Sequence, residues 1–309
     1  FPGQGEERIL LSAHMDTVGK DTGIKPVVRD GVVYSDGTTI LGADDKSGVA
    51  VVLETLAVFQ EQPQLSHPPI EVVFSVQEEV GLVGAKKLDT TQLQSSWGLI
   101  FDAGGPIGTL VYSAPSQNKL DIVVYGKKSH AGSSPEKGIN AIAVAAEAIV
   151  ATPIGRIDEE TTSNIGVITG GEATNIVPDK VNLRGEARSR NQDKLDVLTG
   201  AMVQAFEAAA ANHETSVDID VSFTYPSYLV TPDQRPYIAA KQAIESLGFE
   251  FDPKMGGGGT DGNIYNNAGI PCVVLSTGQM NAHTKEEYVP IQDMVDSTKV
   301  TVNLLIQSV

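Results

Sequence analysis

Residues 9–16 have the sequence ILLSAHMD, an apolar run that ends in a histidine and an aspartate. The β-branched and aliphatic residues of Ile9–Ala13 are typical of a buried strand. Similar runs alternate along the chain with segments of helical periodicity. We predict further strands at Ile70–Val76, Leu99–Phe101 and Pro271–Ser276, and helices at Ser47–Gln60, Arg235–Leu247 and Gln292–Leu305. Strands interleaved with helices of this length indicate an α/β layered sheet.

The middle of the chain follows a different pattern. A strand, an apolar helix, two strands, an amphipathic helix and a last strand are predicted at Lys119–Tyr125, Gly138–Ala151, Asn164–Thr169, Lys180–Ser189, Asn191–Asn212 and Val217–Phe223. The order β-α-β-β-α-β is typical of a small α+β, ferredoxin-like sandwich. Pro115 and Pro226 lie at its two ends. We therefore predict a discontinuous larger domain of residues 1–115 and 227–309, with an inserted domain of residues 116–226.

The composition restricts the partners and the chemistry of the protein. Its 309 residues include 22 Lys and Arg against 39 Asp and Glu, which gives a net charge of −17. This charge argues against binding nucleic acid or an anionic membrane surface, since both require clustered cations. The single cysteine, Cys272, excludes an intrachain disulfide and a thiolate-rich zinc site. No apolar run reaches the roughly 20 residues that a transmembrane helix needs.

Five histidine or acidic elements follow strand-like runs. They are His14-Met15-Asp16 after Ile9–Ala13, Asp44-Asp45 after Thr38–Leu41, Glu78-Glu79 after Ile70–Val76, Asp102 after Leu99–Phe101, and His283 after Pro271–Ser276. Each alone is usually a surface feature, but the ligand crevice of an open α/β sheet lies at the carboxyl ends of its strands. Carboxylates crowded there stay ionised only if a cation compensates them. Imidazole and carboxylate without thiolate suit Zn²⁺, Mn²⁺ or Co²⁺ in a hydrolytic site.

The spacing within two of these elements indicates a division of labour. His14 and Asp16 face the same way in a strand, so Asp16 can accept the second ring N–H of a metal-bound His14. Of the adjacent Glu78 and Glu79, one can bind metal while the other takes a proton from water. The remaining histidines, His67 and His213, are predicted to be surface residues.

The order of these elements resembles a known family. The motifs are His14-x-Asp16, Gly42-Ala43-Asp44-Asp45-Lys46-x-Gly48, Glu78-Glu79-x-Gly81-x-x-Gly84-Ala85, Asp102 and a late His283. In these motifs the chain is similar to the di-zinc metallopeptidases. That family includes peptidase T, glutamate carboxypeptidase, aminoacylase and succinyl-diaminopimelate desuccinylase. The resemblance covers nearly the whole chain and is closest to the peptidase T-like branch. It implies a mixed-sheet α/β/α zinc-peptidase catalytic domain with an inserted lid and dimerisation domain.

One feature departs from the family pattern. Members usually carry several dozen residues before the His-x-Asp strand, whereas thirteen residues precede His14 here. The first residue is Phe1 and no charged-then-apolar signal segment follows it. We therefore expect the chain to begin inside a longer parent, with the N-terminal part of the catalytic domain missing.

The resemblance also implies roles for single residues. The metal ligands of two zinc ions would be His14, Asp44, Glu79, Asp102 and His283, with manganese or cobalt as possible substitutes. Asp44 would bridge the two ions. Glu78 would act as general base and then as general acid, and Asp16 would be a further catalytic carboxylate. A cis peptide bond is implied between Asp44 and Asp45.

For substrate and partner, the resemblance implies a short peptide and a symmetric homodimer in the cytoplasm. The substrate-binding residues would be Asn175, Arg188, Gly258, Gly259 and Thr260. His130, in the Ser-His-Ala-Gly block, would reach the active site of the partner subunit and stabilise an oxyanion. The local alternatives are a structural ion pair for Arg188, a flexible loop for Gly256–Gly259 and a helix-capping loop residue for His130.

The implied activity is the hydrolysis of short peptides by a dinuclear zinc exopeptidase of the tripeptide aminopeptidase type. Two alternatives remain open. One is a deacylase or desuccinylase that acts on N-acyl amino acids with the same metal chemistry, and the other is a catalytically inactive peptide-binding relative. The presence of Glu78 argues against the second, since an inactive protein has no use for a proton-transfer carboxylate beside an intact ligand set.

Overall fold

The computed structural model describes all residues from Phe1 to Val309. They form two compact units, one made of Phe1–Ala114 and Tyr228–Val309 and the other of Pro115–Ser227. None of the helices has the length and apolar character of a membrane-spanning segment.

The regular elements alternate along the chain. The strands are β1 (Ile9–His14), β2 (Pro26–Arg29), β3 (Val32–Ser35), β4 (Ile70–Ser75), β5 (Trp97–Gly104), β6 (Thr109–Ala114), β7 (Ser116–Tyr125), β8 (Gly155–Arg156), β9 (Thr161–Gly170), β10 (Lys180–Ser189), β11 (Val217–Tyr225), β12 (Tyr228–Leu229), β13 (Asp252–Met255), β14 (Cys272–Gln279) and β15 (Tyr288–Pro290). The helices are α1 (Ala43–Glu61), α2 (Val83–Lys87), α3 (Ala141–Ala151), α4 (Gln192–Asn212), α5 (Arg235–Ser246), α6 (Asp261–Asn267) and α7 (Ile291–Gln307).

The first unit is built on a seven-stranded mixed sheet. Its strand order is β12-β6-β14-β5-β1-β4, with β13 beside β6. β1 is parallel to β4 and β5, and β14 is parallel to β5 but antiparallel to β6. The carboxyl ends of β1, β4, β5 and β14 therefore lie along one edge of the sheet, and the prediction of a mixed-sheet α/β domain is confirmed.

The strand β1 lies between β5 and β4 in this sheet. All six of its residues are buried, as expected for a parallel strand covered by helices on both faces. Leu11 belongs to a core that includes Val52 of α1, Ala240 of α5 and Leu304 of α7. Leu10, which points the other way, belongs to a second core with residues of α2 and α6, namely Ala85 and Tyr265. The alternation of β1 thus produces three layers, α/β/α.

Several segments of the first unit differ from the predictions, and the sheet strands β6 and β13 are among those that were not predicted. Residues 38–41, predicted to be strand-like, form a loop, because their backbone N–H groups bind carboxylates: Ile40 donates to Asp21, and Leu41 donates to Glu287. The strands β2, β3 and β15 form a separate three-stranded sheet. They were not predicted, since each has only three or four residues and β2 is largely exposed.

The prediction that His67 is a surface residue is wrong. Its side chain is buried and lies between two aromatic rings, with centroid distances of 5.3 Å to Phe1 and 4.2 Å to Phe59. Its Nδ1 lies 2.8 Å from the carbonyl oxygen of Pro68. An imidazole with one backbone partner and two aromatic neighbours has a packing role.

The second unit is a five-stranded antiparallel sheet of order β11-β7-β10-β9-β8. One face is covered by both helices, since residues of β7 share a core with α3 and α4, among them Leu120, Ile122, Val144, Ala145, Leu195 and Phe206. The side chain of Asn140 accepts N–H groups at the start of α3, and that of Asn191 does the same for α4. The four longer strands have the ferredoxin-like order, which confirms the predicted inserted α+β fold.

Candidate metal centre

The candidate ligands all belong to the first unit, and each is held by a different element. His14 is the last residue of β1, and Asp102 lies in β5. Asp44 lies in the first turn of α1, where the peptide bond to Asp45 is cis, as the resemblance implies. Glu79 is in the loop between β4 and α2, and His283 is in the loop between β14 and β15. Side chains that are distant in sequence thereby meet beyond the carboxyl ends of the parallel strands.

The donor atoms form two groups that share Asp44. In the first group, the His14 Nε2 lies 3.1 Å from Asp44 Oδ1 and 3.6 Å from Asp102 Oδ1. In the second group, the His283 Nε2 lies 3.1 Å from Asp44 Oδ2 and 3.0 Å from Glu79 Oε1. Donor atoms placed about 2.0–2.1 Å from a tetrahedral ion lie about 3.3 Å from one another. Each group therefore has the spacing of ligands around one ion, and Asp44 offers one oxygen to each.

A buried oxygen without a hydrogen bond points to the same conclusion. Glu79 Oε1 has no hydrogen-bond partner, although it lies 3.0 Å from the His283 Nε2. A buried carboxylate oxygen without a partner is costly and calls for an explanation. A cation between Glu79 and His283 supplies the missing partner, so the residues present fit a divalent metal ion.

The pKa values describe a centre with an excess of negative charge. Burial, with the nearby charge of Asp102, raises the pKa of Glu78 to about 10. Burial also raises the pKa of Asp102 to about 7, in spite of the neighbouring His14. Although burial opposes ionisation of Asp44, its hydrogen bonds with His14 and His283 hold its pKa well below its usual range. The interaction with Asp44 in turn raises the pKa of His283 to about 9. Divalent cations would balance this charge and return the imidazoles to the neutral form that binds metal.

Asp16 contacts more than the histidine it was predicted to orient. The His14 Nδ1 lies 3.1 Å from the backbone oxygen of Asp16 and 3.4 Å from its Oδ1. The Asp16 carboxylate also accepts the backbone N–H of Glu78 at 3.0 Å and of Glu79 at 3.3 Å. One side chain thus lies against His14 and fixes the loop that carries both glutamates.

Asp45 is a buried carboxylate to which the sequence analysis gave no role. Its Oδ2 accepts the backbone N–H of His14 at 3.0 Å, and its Oδ1 accepts that of Gly48 at 3.2 Å. A Cβ atom at Gly48 would lie 2.1 Å from the carbonyl oxygen of Phe101 and 2.4 Å from Asp45 Oδ1. Asp45 therefore ties β1 to α1, and the glycine lets α1 approach β5 closely.

Two further buried carboxylates were missed. Glu287 accepts three backbone N–H groups around the start of α1. Asp261, at the start of α6, accepts the hydroxyl of Ser75 with one oxygen, and its other oxygen has no hydrogen-bond partner. Burial raises the pKa of Asp261. Asp261 lies in the glycine-rich stretch Gly257–Asn263 but was given no role there. Glu287 belongs to no recognisable short motif and its contacts span more than 240 positions, so only the folded chain identifies it.

The other predicted site residues are distributed over both units. Gly258, Gly259 and Thr260 precede α6 in the first unit, where Thr260 forms a capping box with Asn263. His130, Asn175 and Arg188 belong to the second unit. The Arg188 guanidinium makes a bidentate pair with Glu186, with Nε–Oε1 and Nη2–Oε2 distances of 2.9 and 3.0 Å.

His130 has a defined hydrogen-bond pattern. Its Nδ1 accepts the backbone N–H groups of Gly132 and Ser133 at 3.1 and 3.2 Å. In the neutral ring the proton therefore resides on Nε2.

Comparisons with known proteins give a consistent result. The model of the peptidase family M20/M25/M40 matches residues 10–307. An uncharacterized protein of Bacillus subtilis, YqjE, is 41% identical over 299 residues, which cover 97% of this chain and 80% of that protein. The crystal structure of aminopeptidase PepT from Bacillus cereus has a TM-score of 0.88 at 39% identity and covers 99% of this chain and 83% of that one. The crystal structure of a tripeptidase from Staphylococcus aureus has a TM-score of 0.92 at 39% identity and covers 97% of this chain and 80% of that one.

Proposed function

Because this chain belongs to the peptidase family M20/M25/M40 and is a peptide-bond hydrolase of the exopeptidase class, we propose that it is a dinuclear zinc peptidase that hydrolyses tripeptides. The observation that carries the dinuclear proposal is the position of Asp44, whose two oxygens lie 3.1 Å from two different histidines. The tripeptide proposal is supported by the two structural relatives at 39% identity, an aminopeptidase PepT and a tripeptidase.

The chemistry divides between the bound ions and the side chains. Two divalent cations at such a site polarise the scissile carbonyl and acidify water. His14 and Asp102 would hold one cation, Glu79 and His283 the other, and Asp44 both. Manganese and cobalt have similar ligand preferences to zinc and are the next candidates.

Glu78 is the best-placed residue to transfer the proton. It belongs to neither donor group, its side chain is buried, and its backbone N–H is fixed by Asp16. Its carboxylate can take a proton from the attacking water and deliver it to the nitrogen of the leaving amine as the C–N bond breaks. Positive charge bound beside it opposes the burial that raises its pKa, so the carboxylate can ionise and act as a base.

We propose Arg188, Asn175, Gly258, Gly259 and Thr260 as substrate-binding residues. Arg188 can bind the carboxylate of a peptide only if that carboxylate competes with Glu186, which is already its bidentate partner. The glycines can let a peptide approach the backbone closely.

The function is tested with metal-free protein, prepared by dialysis against a chelator and then assayed on tripeptides. We expect no hydrolysis without metal, and release of a terminal amino acid after addition of two equivalents of zinc per chain. An N-acetylated tripeptide and an N-acyl amino acid serve as comparison substrates. Faster hydrolysis of the N-acyl amino acid would identify a deacylase, and no hydrolysis of any substrate by protein that retains two zinc ions would identify an inactive relative.

We also propose that the protein acts as a homodimer in which His130 reaches the site of the partner subunit. The Nδ1 of His130 is occupied by two backbone N–H groups, so the neutral ring presents Nε2–H as a donor. A donor of this kind stabilises the negative charge that develops on the carbonyl oxygen.

Replacement of His130 by alanine should lower kcat by about 10²- to 10³-fold, the usual cost of removing one oxyanion donor. The zinc content should stay at the wild-type value. Mixing equal amounts of the His130→Ala and Glu78→Gln proteins should restore about one quarter of the wild-type activity after subunit exchange, because half of the sites in the mixed dimers carry both intact groups. His213→Ala, at an exposed histidine paired with Glu147, is the matched control. No gain of activity on mixing would place His130 in its own subunit's site or outside catalysis.

A further inference from the structure

Glu287 connects the loop between β14 and β15 to the start of α1 in the candidate metal centre. Its side chain is 1% exposed. Oε2 accepts the backbone N–H of Leu41 at 2.9 Å and of Gly42 at 2.6 Å, and Oε1 accepts that of Asp44 at 2.9 Å. These N–H groups lie around the start of α1, where a helix has donors without partners of its own and where its dipole favours negative charge. A carboxylate from a distant part of the chain thus fixes the backbone of the bridging residue.

The loop that carries Glu287 also carries His283. Two backbone hydrogen bonds between Met280 and Tyr288, of 2.9 and 3.1 Å, close this loop at its base. The His283 side chain is 50% exposed and its backbone has a φ of 67°, so packing alone does little to hold it. The His283 Nε2 lies 3.1 Å from Asp44 Oδ2. One loop therefore contacts Asp44 twice, through His283 at the carboxylate and through Glu287 at the backbone.

We propose that Glu287 is a positioning residue that sets the affinity of the cation site formed by Asp44, Glu79 and His283. This inference rests on the proposed dinuclear function. His14 and Asp102 lie in buried strands of the central sheet, so two of the three ligands of the first site have support that does not depend on Glu287. The second site depends on where the β14–β15 loop, which carries His283, lies relative to the start of α1, which carries Asp44, and Glu287 is the buried carboxylate that joins the two.

The hydrogen bonds of residue 287 require a carboxylate at this position. Glu287 is used as an acceptor at both oxygens. A glutamine can keep one oxygen in place, but its amide group would bring N–H donors toward a backbone N–H. Glu287→Gln should therefore keep part of the contribution that residue 287 makes to the affinity of the second site, and Glu287→Ala should lose the whole of this contribution.

The experiment compares Glu287→Ala and Glu287→Gln with the wild type and with Glu286→Ala, a control at the exposed neighbouring glutamate. Zinc is titrated into each metal-free protein against a chromophoric chelator, and cobalt absorption spectra report the ligands of each ion. We expect the second ion to bind 10- to 100-fold more weakly in Glu287→Ala, the usual cost of losing a residue that orients metal ligands, and by a smaller factor in Glu287→Gln. Affinity for the first ion should change by less than about threefold, and Glu286→Ala should behave as the wild type.

A second readout does not depend on metal. Amide hydrogen exchange of Leu41, Gly42 and Asp44 in the metal-free proteins should be faster in both Glu287 variants than in Glu286→Ala. If both variants are folded and neither the second affinity nor the exchange changes, the proposal is wrong. It is also wrong if both ions weaken equally, since that result indicates a general structural role. If the wild type itself binds fewer than two ions, the dinuclear function fails, and the exchange rates alone then decide whether Glu287 fixes the loop.

Discussion

Replacing Glu78 with glutamine is expected to lower the turnover of a tripeptide by about 10²- to 10⁴-fold, the usual contribution of a general acid–base group. Glutamine has nearly the same shape but cannot accept and return a proton. Glu78 lies in neither donor group, and Asp16 holds its backbone N–H rather than its side chain, so the variant should keep both ions and its fold.

The measurement is kcat for a tripeptide, with zinc content and thermal unfolding determined on the same samples. Glu54→Gln, at an exposed glutamate of α1, removes the same charge away from the site and should retain full activity. If Glu78→Gln keeps more than about a tenth of the wild-type turnover, the proton is transferred by another group.

Replacing Asp44 with alanine is expected to weaken both ions and to bring activity below detection. Each donor group loses one oxygen, because Asp44 Oδ1 lies near His14 and Asp44 Oδ2 near His283. Loss of a direct ligand should cost more than the 10- to 100-fold in affinity that the loss of a supporting residue costs.

Asp102→Ala is the matched comparison, since Asp102 contributes to the first group alone. Metal analysis after dialysis should find one tightly bound ion in Asp102→Ala and none in Asp44→Ala. Retention of one tightly bound ion in Asp44→Ala, as in Asp102→Ala, would show that Asp44 does not bridge the two ions.

Much of the fold was predictable because its signals are local. The apolar run before His14 predicts β1 whatever surrounds it. The motifs predict the family and its peptidase T-like branch, and both are confirmed by the match of the family over residues 10–307 and by the structural relatives. Because parallel strands end at one edge of a sheet, the strand order also brings His14, Asp102 and the Glu78-Glu79 loop together. The roles given to these residues remain proposals.

The residues that were missed act through contacts that leave no local signal. Glu287 and Asp45 bind backbone N–H groups. Because every residue except proline has such a group, the residue types of the partners do not indicate that the contact exists. His67 was missed for a related reason, since its environment is formed by Phe1 and Phe59 rather than by its polar neighbours in sequence. The loop at residues 38–41 has a strand-like composition but takes its hydrogen bonds from side chains.

The close approach of Gly48 has a consequence for how the catalytic machinery tolerates change. A Cβ atom at Gly48 would lie only 2.1 Å from the carbonyl oxygen of Phe101, so the absence of a side chain allows α1 to pack closely against β5. The residue after Phe101 is Asp102. Gly48 therefore keeps the helix that carries Asp44 close to the strand that carries Asp102. Even alanine would force the two elements apart and change the distance between two candidate ligands, although residue 48 is not a ligand itself. The candidate metal centre is thereby sensitive to the size of a residue that carries no ligand atom.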